Sequence, residues 1–229
     1  MMMRFGGWSP SRRFLAVSSA LFVALSLAGA ALEARYLRAT ALALAEREGT
    51  LLGRHLGALY FRPGVFLNKS GDLEIPGPLL EPVREDLQTL GIVMLKVYDL
   101  RGKIVAATDA SYVGMEKGDN PSFKAALAGK AVGKVATREY YRDLYGREAA
   151  EDLFELYVPL WSPDRHSPAV VLEIYRPWAL YAPLIRAGIL RTAVVAAVLT
   201  LLYCLLLLLF VRRIEASAAT RAPAGEPPR

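Results

Sequence analysis

Arg138, Tyr140, Tyr141, Arg142 and Tyr145 crowd into one short stretch, and Tyr98 and Tyr157 stand in two other apolar runs. A guanidinium presents a planar fork that matches a carboxylate, and phenol hydroxyls orient a polar molecule against an apolar wall. Tyr98, Arg138, Tyr140 and Tyr157 are therefore the candidate ligand-binding set. The competing reading is that the tyrosines complete a core while the arginines pair with Glu139 and Asp143 at the surface. Catalytic chemistry has no comparable signature. The chain carries no Gly-x-Gly-x-x-Gly, P-loop, His-Glu-x-x-His or Gly-x-Ser-x-Gly pattern. Its two histidines are far apart: His55 reads as a half-buried member of a helix stripe, His166 as a turn residue. Glu148, Glu151 and Asp152 form an acidic run that could bind a cation but reads more simply as a solvated turn. A lone cysteine, Cys204, allows neither an intrachain disulfide nor a thiolate metal site. The expectation is a protein with no catalytic residues, no metal and no cofactor.

The elements that must hold these residues follow from periodicity. Glu33–Tyr60 has apolar residues at helical spacing, with Leu37, Ala41, Leu44, Leu51 and His55 on one stripe and Leu42, Ala45, Leu52, Leu56 and Leu59 beside it. A stripe that wide predicts contact with both the domain core and a second copy, hence a homodimer through this helix. Arg62-Pro-Gly-Val ends it, and Leu79–Leu90 is a second, shorter helix. Gly91–Tyr98 and Lys103–Thr108 flank the turn Asp99–Gly102 and predict a hairpin. Ser122–Gly129 is a short helix closed by glycine, with Asp119 or Asn120 as its cap and Pro121 at its first position. Ala131–Tyr140, Asp152–Leu160 and Ala169–Tyr175 are three further strands. Pro177 opens a last helix, and Pro183 should let it bend. The sum is an α+β domain with five antiparallel strands.

Two uncharged runs, Phe14–Leu32 and Ala193–Val211, are each 19 residues long. At about 1.5 Å per residue both can cross a hydrocarbon core. Arg12-Arg13 precedes the first and Arg212-Arg213 follows the second, which puts both ends in the cytoplasm and the middle outside. Residues 33–186 hold 20 Lys/Arg against 20 Asp/Glu, so the net charge of +6 belongs to the flanks of the spans. That distribution argues against a nucleic-acid-binding face. The expected plan is a cytoplasmic tail (1–13), a span (14–32), an extracytoplasmic domain (33–186), a span (187–211) and a disordered cytoplasmic tail (212–229). A cleaved signal peptide, with Ala28-Gly29-Ala30 at the cleavage site, is the rival reading of the first run.

The order of these elements resembles the Cache (PAS-like) extracytoplasmic sensor domains of bacterial histidine kinases, chemoreceptors and diguanylate cyclases. The residues that carry the likeness are Val97–Asp109, Gly114 with Asp119–Gly129, Phe154–Leu160 and Ala169–Tyr175. The resemblance implies a PAS-like sheet packed on a long helix between two spans, in an inner membrane of bacterial type. It also implies a small-molecule ligand held between the sheet and the loop–helix segment that crosses it. Such receptors continue into an output domain, whereas here only a short Ala- and Pro-rich tail follows Glu215. The expectation is that the state of the domain passes to a separate membrane-protein signalling partner through the helix after Pro177. The alternative is a structural or assembly protein that uses the fold for protein–protein contact.

Overall fold

The computed structural model describes residues 10–61, 80–161 and 166–220. The helix end at residues 62–65, the loop that follows it and the turn at 162–165 lie outside that range. The chain divides into two units: residues 39–184, and the flanking segments 1–38 and 185–229.

Residues 39–184 form an α+β domain. Five antiparallel strands, β1 (Met94–Tyr98), β2 (Ile104–Ala107), β3 (Val132–Arg142), β4 (Glu148–Trp161) and β5 (Pro168–Pro177), lie in the order β2-β1-β5-β4-β3. The expected hairpin is β1–β2. Its turn is closed by the Asp99 carboxylate, which accepts from the backbone of Arg101 and Lys103 at 2.9 and 2.8 Å. Gly102 has φ +87°, and a Cβ there would lie 2.4 Å from Gly118 Cα, so this corner requires glycine twice over.

One sheet face packs on the C-terminal part of α1 (Pro10–Tyr60), from Ala39 onward. The seam is made of small residues. Ala41, Ala45, Gly49, Gly53 and Gly57 recur every fourth position and are all buried. A Cβ on Gly49, Gly53 or Gly57 would lie 2.5, 2.9 and 2.5 Å from Leu156, Val158 and Leu160 of β4. Each mid-helix glycine costs about 1 kcal/mol of helix propensity, and close approach to the sheet is the return. Of the expected stripe and the residues beside it, Ala41, Ala45 and Leu56 are buried, but Leu44, Leu51, His55 and Leu59 are exposed instead. Hydropathy weights leucine over glycine and so misplaced the buried line by part of a turn.

The second face is crossed by the segment between β2 and α3 (Pro121–Leu127) and by α3 itself. Asn120, not Asp119, caps α3, its side-chain oxygen accepting from Ser122 and Phe123. Between β4 and β3 the pairing skips: Arg138 faces Glu151, but Tyr141 faces Ala149. Two residues of β3 there, Glu139 and Tyr140, stand against one of β4, Ala150, a bulge that reverses the alternation beyond it. Helix α2 (Leu80–Thr89) lies close to its expected span.

In the other unit, α1 and α4 (Ala182–Thr220) are both long and apolar enough to cross a membrane. Phe22 stacks on Tyr203 at 4.2 Å between ring centres, Ser26 meets Thr200 at 3.5 Å, and a Cβ on Gly188 would press on Leu37. Cys204 is a half-buried packing residue, its sulfur 3.9 Å from Ser19 Oγ. Two expectations change here. After a 3-10 turn at Trp178–Leu180 the helix proper starts at Ala182, so Pro183 sits in the first turn, where no helical N–H bond is lost to it. The helix also continues to Thr220, past the residue 212 where an unstructured tail was expected, through good helix formers such as Arg212, Arg213 and Ala216.

Candidate functional site

The sheet face beneath α3 carries charged residues in the middle of apolar strands. On β1, Lys96 stands between Leu95 and Val97. On β5, Glu173 stands between Leu172 and Ile174. On β4, Glu155 stands between Phe154 and Leu156. The antiparallel register sets Lys96 opposite Glu173, Glu173 opposite Tyr157, and Glu155 opposite both Tyr175 and Lys134. All of these side chains therefore share one face. Glu155 and Glu173 are each 1% exposed and Lys96 is 5% exposed. Charges that far from water need partners.

The partners form two linked groups. In the deeper one, Lys96 Nζ donates to the Tyr175 hydroxyl at 2.8 Å and lies 3.6 Å from Glu173 Oε2. The same carboxylate oxygen accepts from the Tyr98 hydroxyl at 2.5 Å. Lys96 Nζ also stands 4.0 Å above the centre of the Tyr112 ring. Tyr112 is held there by a 3-10 turn at Ala110–Tyr112, capped by Asp109, whose carboxylate accepts from Ser111. The chain then turns back along β2, with Gly114 and Lys117 donating to the carbonyls of Ile104 and Gly102. In the outer group, Arg138 grips Glu155 through Nε at 2.7 Å and through a terminal nitrogen, and Lys134 approaches the other oxygen at 3.4 Å. The side chains of these two cations remain 40% and 49% exposed, so the outer group opens to water.

Electrostatics follow from burial. The Lys96 ammonium is held below its ordinary pKa because burial disfavours the charge, with Glu173 opposing that drop. Burial raises the phenols of Tyr98, Tyr157 and Tyr175, and the Glu173 carboxylate pushes each further. These tyrosines are therefore neutral hydrogen-bond donors throughout the physiological range. For Arg138 burial again opposes the charge, but Glu155 outweighs it and the guanidinium is held more firmly protonated.

Of the four candidate residues, Tyr98, Arg138 and Tyr157 meet here. The Tyr98 ring packs against Phe123 of α3 and Tyr157, and Asn120 donates to the Tyr157 hydroxyl at 3.0 Å. Tyr140 does not join them. It is 53% exposed and donates to Glu148, because the bulge turns Tyr141 inward in its place. Tyr141 is buried beside Met94, Leu153 and Tyr175, and its hydroxyl donates to Glu151. Arg142 and Arg147 serve the surface, bonding Tyr140 and Asp143. Lys96, Lys134, Glu155, Glu173, Tyr112 and Tyr175 escaped the sequence reading. The signal that marks three of them is a single charge inside an otherwise apolar strand.

No protein-family model matches the chain, and no curated protein matches it. Among solved structures, the Escherichia coli DcuS sensor domain aligns with 46% of this chain and 68% of its own, at TM-score 0.32 and 17% identity. A likeness that distant transfers no role, so the function is read from the side chains themselves.

Proposed function

We propose that this chain is a two-pass membrane protein whose Cache-like domain, outside the cytoplasm, binds a small ligand at the β3–β4–β5 face and regulates a partner membrane protein. The observation that carries the reading is the double ionic group on one sheet face under a crossing segment. Buried ion pairs add little net stability compared with apolar residues of similar volume. Two carboxylates, two lysines, an arginine and four tyrosines gathered on one face thus fit recognition better than they fit core building. Arg138 and Lys134 open to water and suit an anionic group that would compete with Glu155, and the Tyr157 hydroxyl with Asn120 would orient the remainder. The role is recognition, without catalysis.

The test uses the full-length protein in detergent, with unfolding followed by tryptophan fluorescence. It is screened against small carboxylates, amino acids and amines. A saturable rise in midpoint that is lost in Arg138→Ala and in Tyr157→Phe is expected. No response to any compound, or a response unchanged in both variants, refutes ligand binding at this face. One observation favours a second reading: Glu155 and Glu173 already have protein partners, so the face is satisfied without a ligand. A structural protein that binds a partner through this domain would look the same, and would be silent in the screen.

A further inference from the structure

The inner group has a chemical identity of its own. Lys96 Nζ has three N–H donors, and three acceptors surround it: the Tyr175 hydroxyl at 2.8 Å, Glu173 Oε2 at 3.6 Å and the Tyr112 ring face at 4.0 Å. The Tyr175 ring centre lies 4.8 Å away. A carboxylate backed by aromatic rings is the arrangement that recognises ammonium ligands in aromatic cages. Here the ring supplied by Tyr112 comes from the crossing segment, not from the sheet, so the cage is closed by a separate piece of chain. Glu173 is in turn oriented by the Tyr98 hydroxyl.

We propose that this inner group is a binding site for a primary ammonium, occupied in this protein by its own Lys96 as a tethered ligand. The inference goes beyond ligand binding at Arg138 and stands independently of it. Beyond Cβ, lysine consists of three methylenes and an ammonium, the atoms of n-propylammonium. Truncation at Cβ leaves a slot of that shape, lined by Tyr112, Tyr175 and Glu173. The slot is specific for charge as well as size, because a neutral occupant leaves the Glu173 carboxylate buried without its cation.

The experiment compares full-length wild type with Lys96→Ala in detergent, following unfolding by tryptophan fluorescence. n-Propylammonium chloride, n-propanol and sodium propionate are added at equal concentration and ionic strength. The expected result is a lowered midpoint in Lys96→Ala that n-propylammonium restores saturably, at concentrations about tenfold below any effect on wild type. Propanol and propionate should restore nothing. Equal restoration by propanol, no restoration, or an equal response in wild type overturns the proposal. If Lys96→Ala does not fold under any of these conditions, Lys96→Met and Lys96→Met with Glu173→Gln decide. The proposal requires Lys96→Met to be destabilised and the added Glu173→Gln to recover at least half of the loss. A stable Lys96→Met, or no recovery in the pair, overturns it. Wild-type behaviour in the Arg138 screen does not enter either outcome, so failure here and failure of the ligand-binding reading are distinguishable.

Discussion

Arg138→Met and Glu155→Leu remove opposite ends of one ion pair, and the structure makes their costs unequal. Glu155 is 1% exposed, whereas the Arg138 side chain is 40% exposed. Arg138→Met leaves a carboxylate that cannot reach water, with Lys134 at 3.4 Å as its remaining counter-ion. Removing one partner of a fully buried pair costs about 3–5 kcal/mol. With the exposure of Arg138 and the surviving lysine taken into account, roughly 2 kcal/mol is expected. Glu155→Leu leaves two cations that can swing to solvent, and its cost should be about 1 kcal/mol. For a domain of roughly 150 residues these are drops of about 6 and 3 °C in Tm. The double variant should sit near Glu155→Leu alone, giving a coupling of about 2 kcal/mol. Thermal and urea unfolding of the four proteins, followed by circular dichroism and tryptophan fluorescence, measure the cycle. If Glu155→Leu is the costlier single change, or if the two effects simply add, the carboxylate is not the dependent member and the reasoning fails.

Gly53→Leu should lower Tm by several degrees, because overpacking costs about 1–3 kcal/mol against a gain of about 1 kcal/mol in helix propensity; Ala43→Leu, on the exposed side of α1, should be neutral, and equal effects would deny the tight seam. Asp143 accepts from the backbone of Tyr145 and Arg147 and pairs with the Arg147 guanidinium; burial opposes its charge, but these bonds win and hold it below its ordinary 3.8. The folded state thus binds the proton more weakly than the unfolded chain, so this stabilisation is present above about pH 4 and fades as acid passes the lowered value. Asp143→Asn should flatten that acid limb in a pH series of unfolding curves, and an unchanged slope would contradict the assignment. Tyr140→Phe should leave any ligand-induced shift intact while Tyr157→Phe reduces it; the opposite order would put the site at the outer end of β3. If two copies pair through α1, cysteines at Leu44 or Leu51 in a Cys204→Ala background should crosslink in membranes and one at Ala45 should not, since Ala45 is buried against its own sheet; crosslinking only at Ala45 would sink that geometry.

Much of the fold was legible because its signals are local. The β1–β2 turn is written in Asp99 and Gly102, α3 in Asn120, Pro121 and Gly129, and the two long apolar helices in their uncharged runs. What stayed hidden depends on register. Lys96, Glu155 and Glu173 each mark an apolar strand with a single charge, but only pairing sets the three on one buried face. Tyr140 and Tyr141 are indistinguishable until the bulge at Glu139–Tyr140 decides which turns inward. The glycine seam of α1 eluded hydropathy because its contribution is an absence of side chain, visible only against Leu156, Val158 and Leu160.

That seam also sets a schedule. The C-terminal half of α1 has glycines at three of its contact positions, so on its own it is a weak helix, and its packing partners are encoded far downstream. Gly49 meets Leu156, 107 residues later in the chain (156 − 49). At synthesis rates of about 5–20 residues per second, roughly 5–20 s separate the emergence of the two. During that interval the segment has its leucines but no sheet to lie on. Its packing is completed only when β4 arrives, so it is made well before it acquires lasting structure. A change at Leu156, Val158 or Leu160 therefore bears on how long that segment waits for its partner as well as on how well it packs once folded.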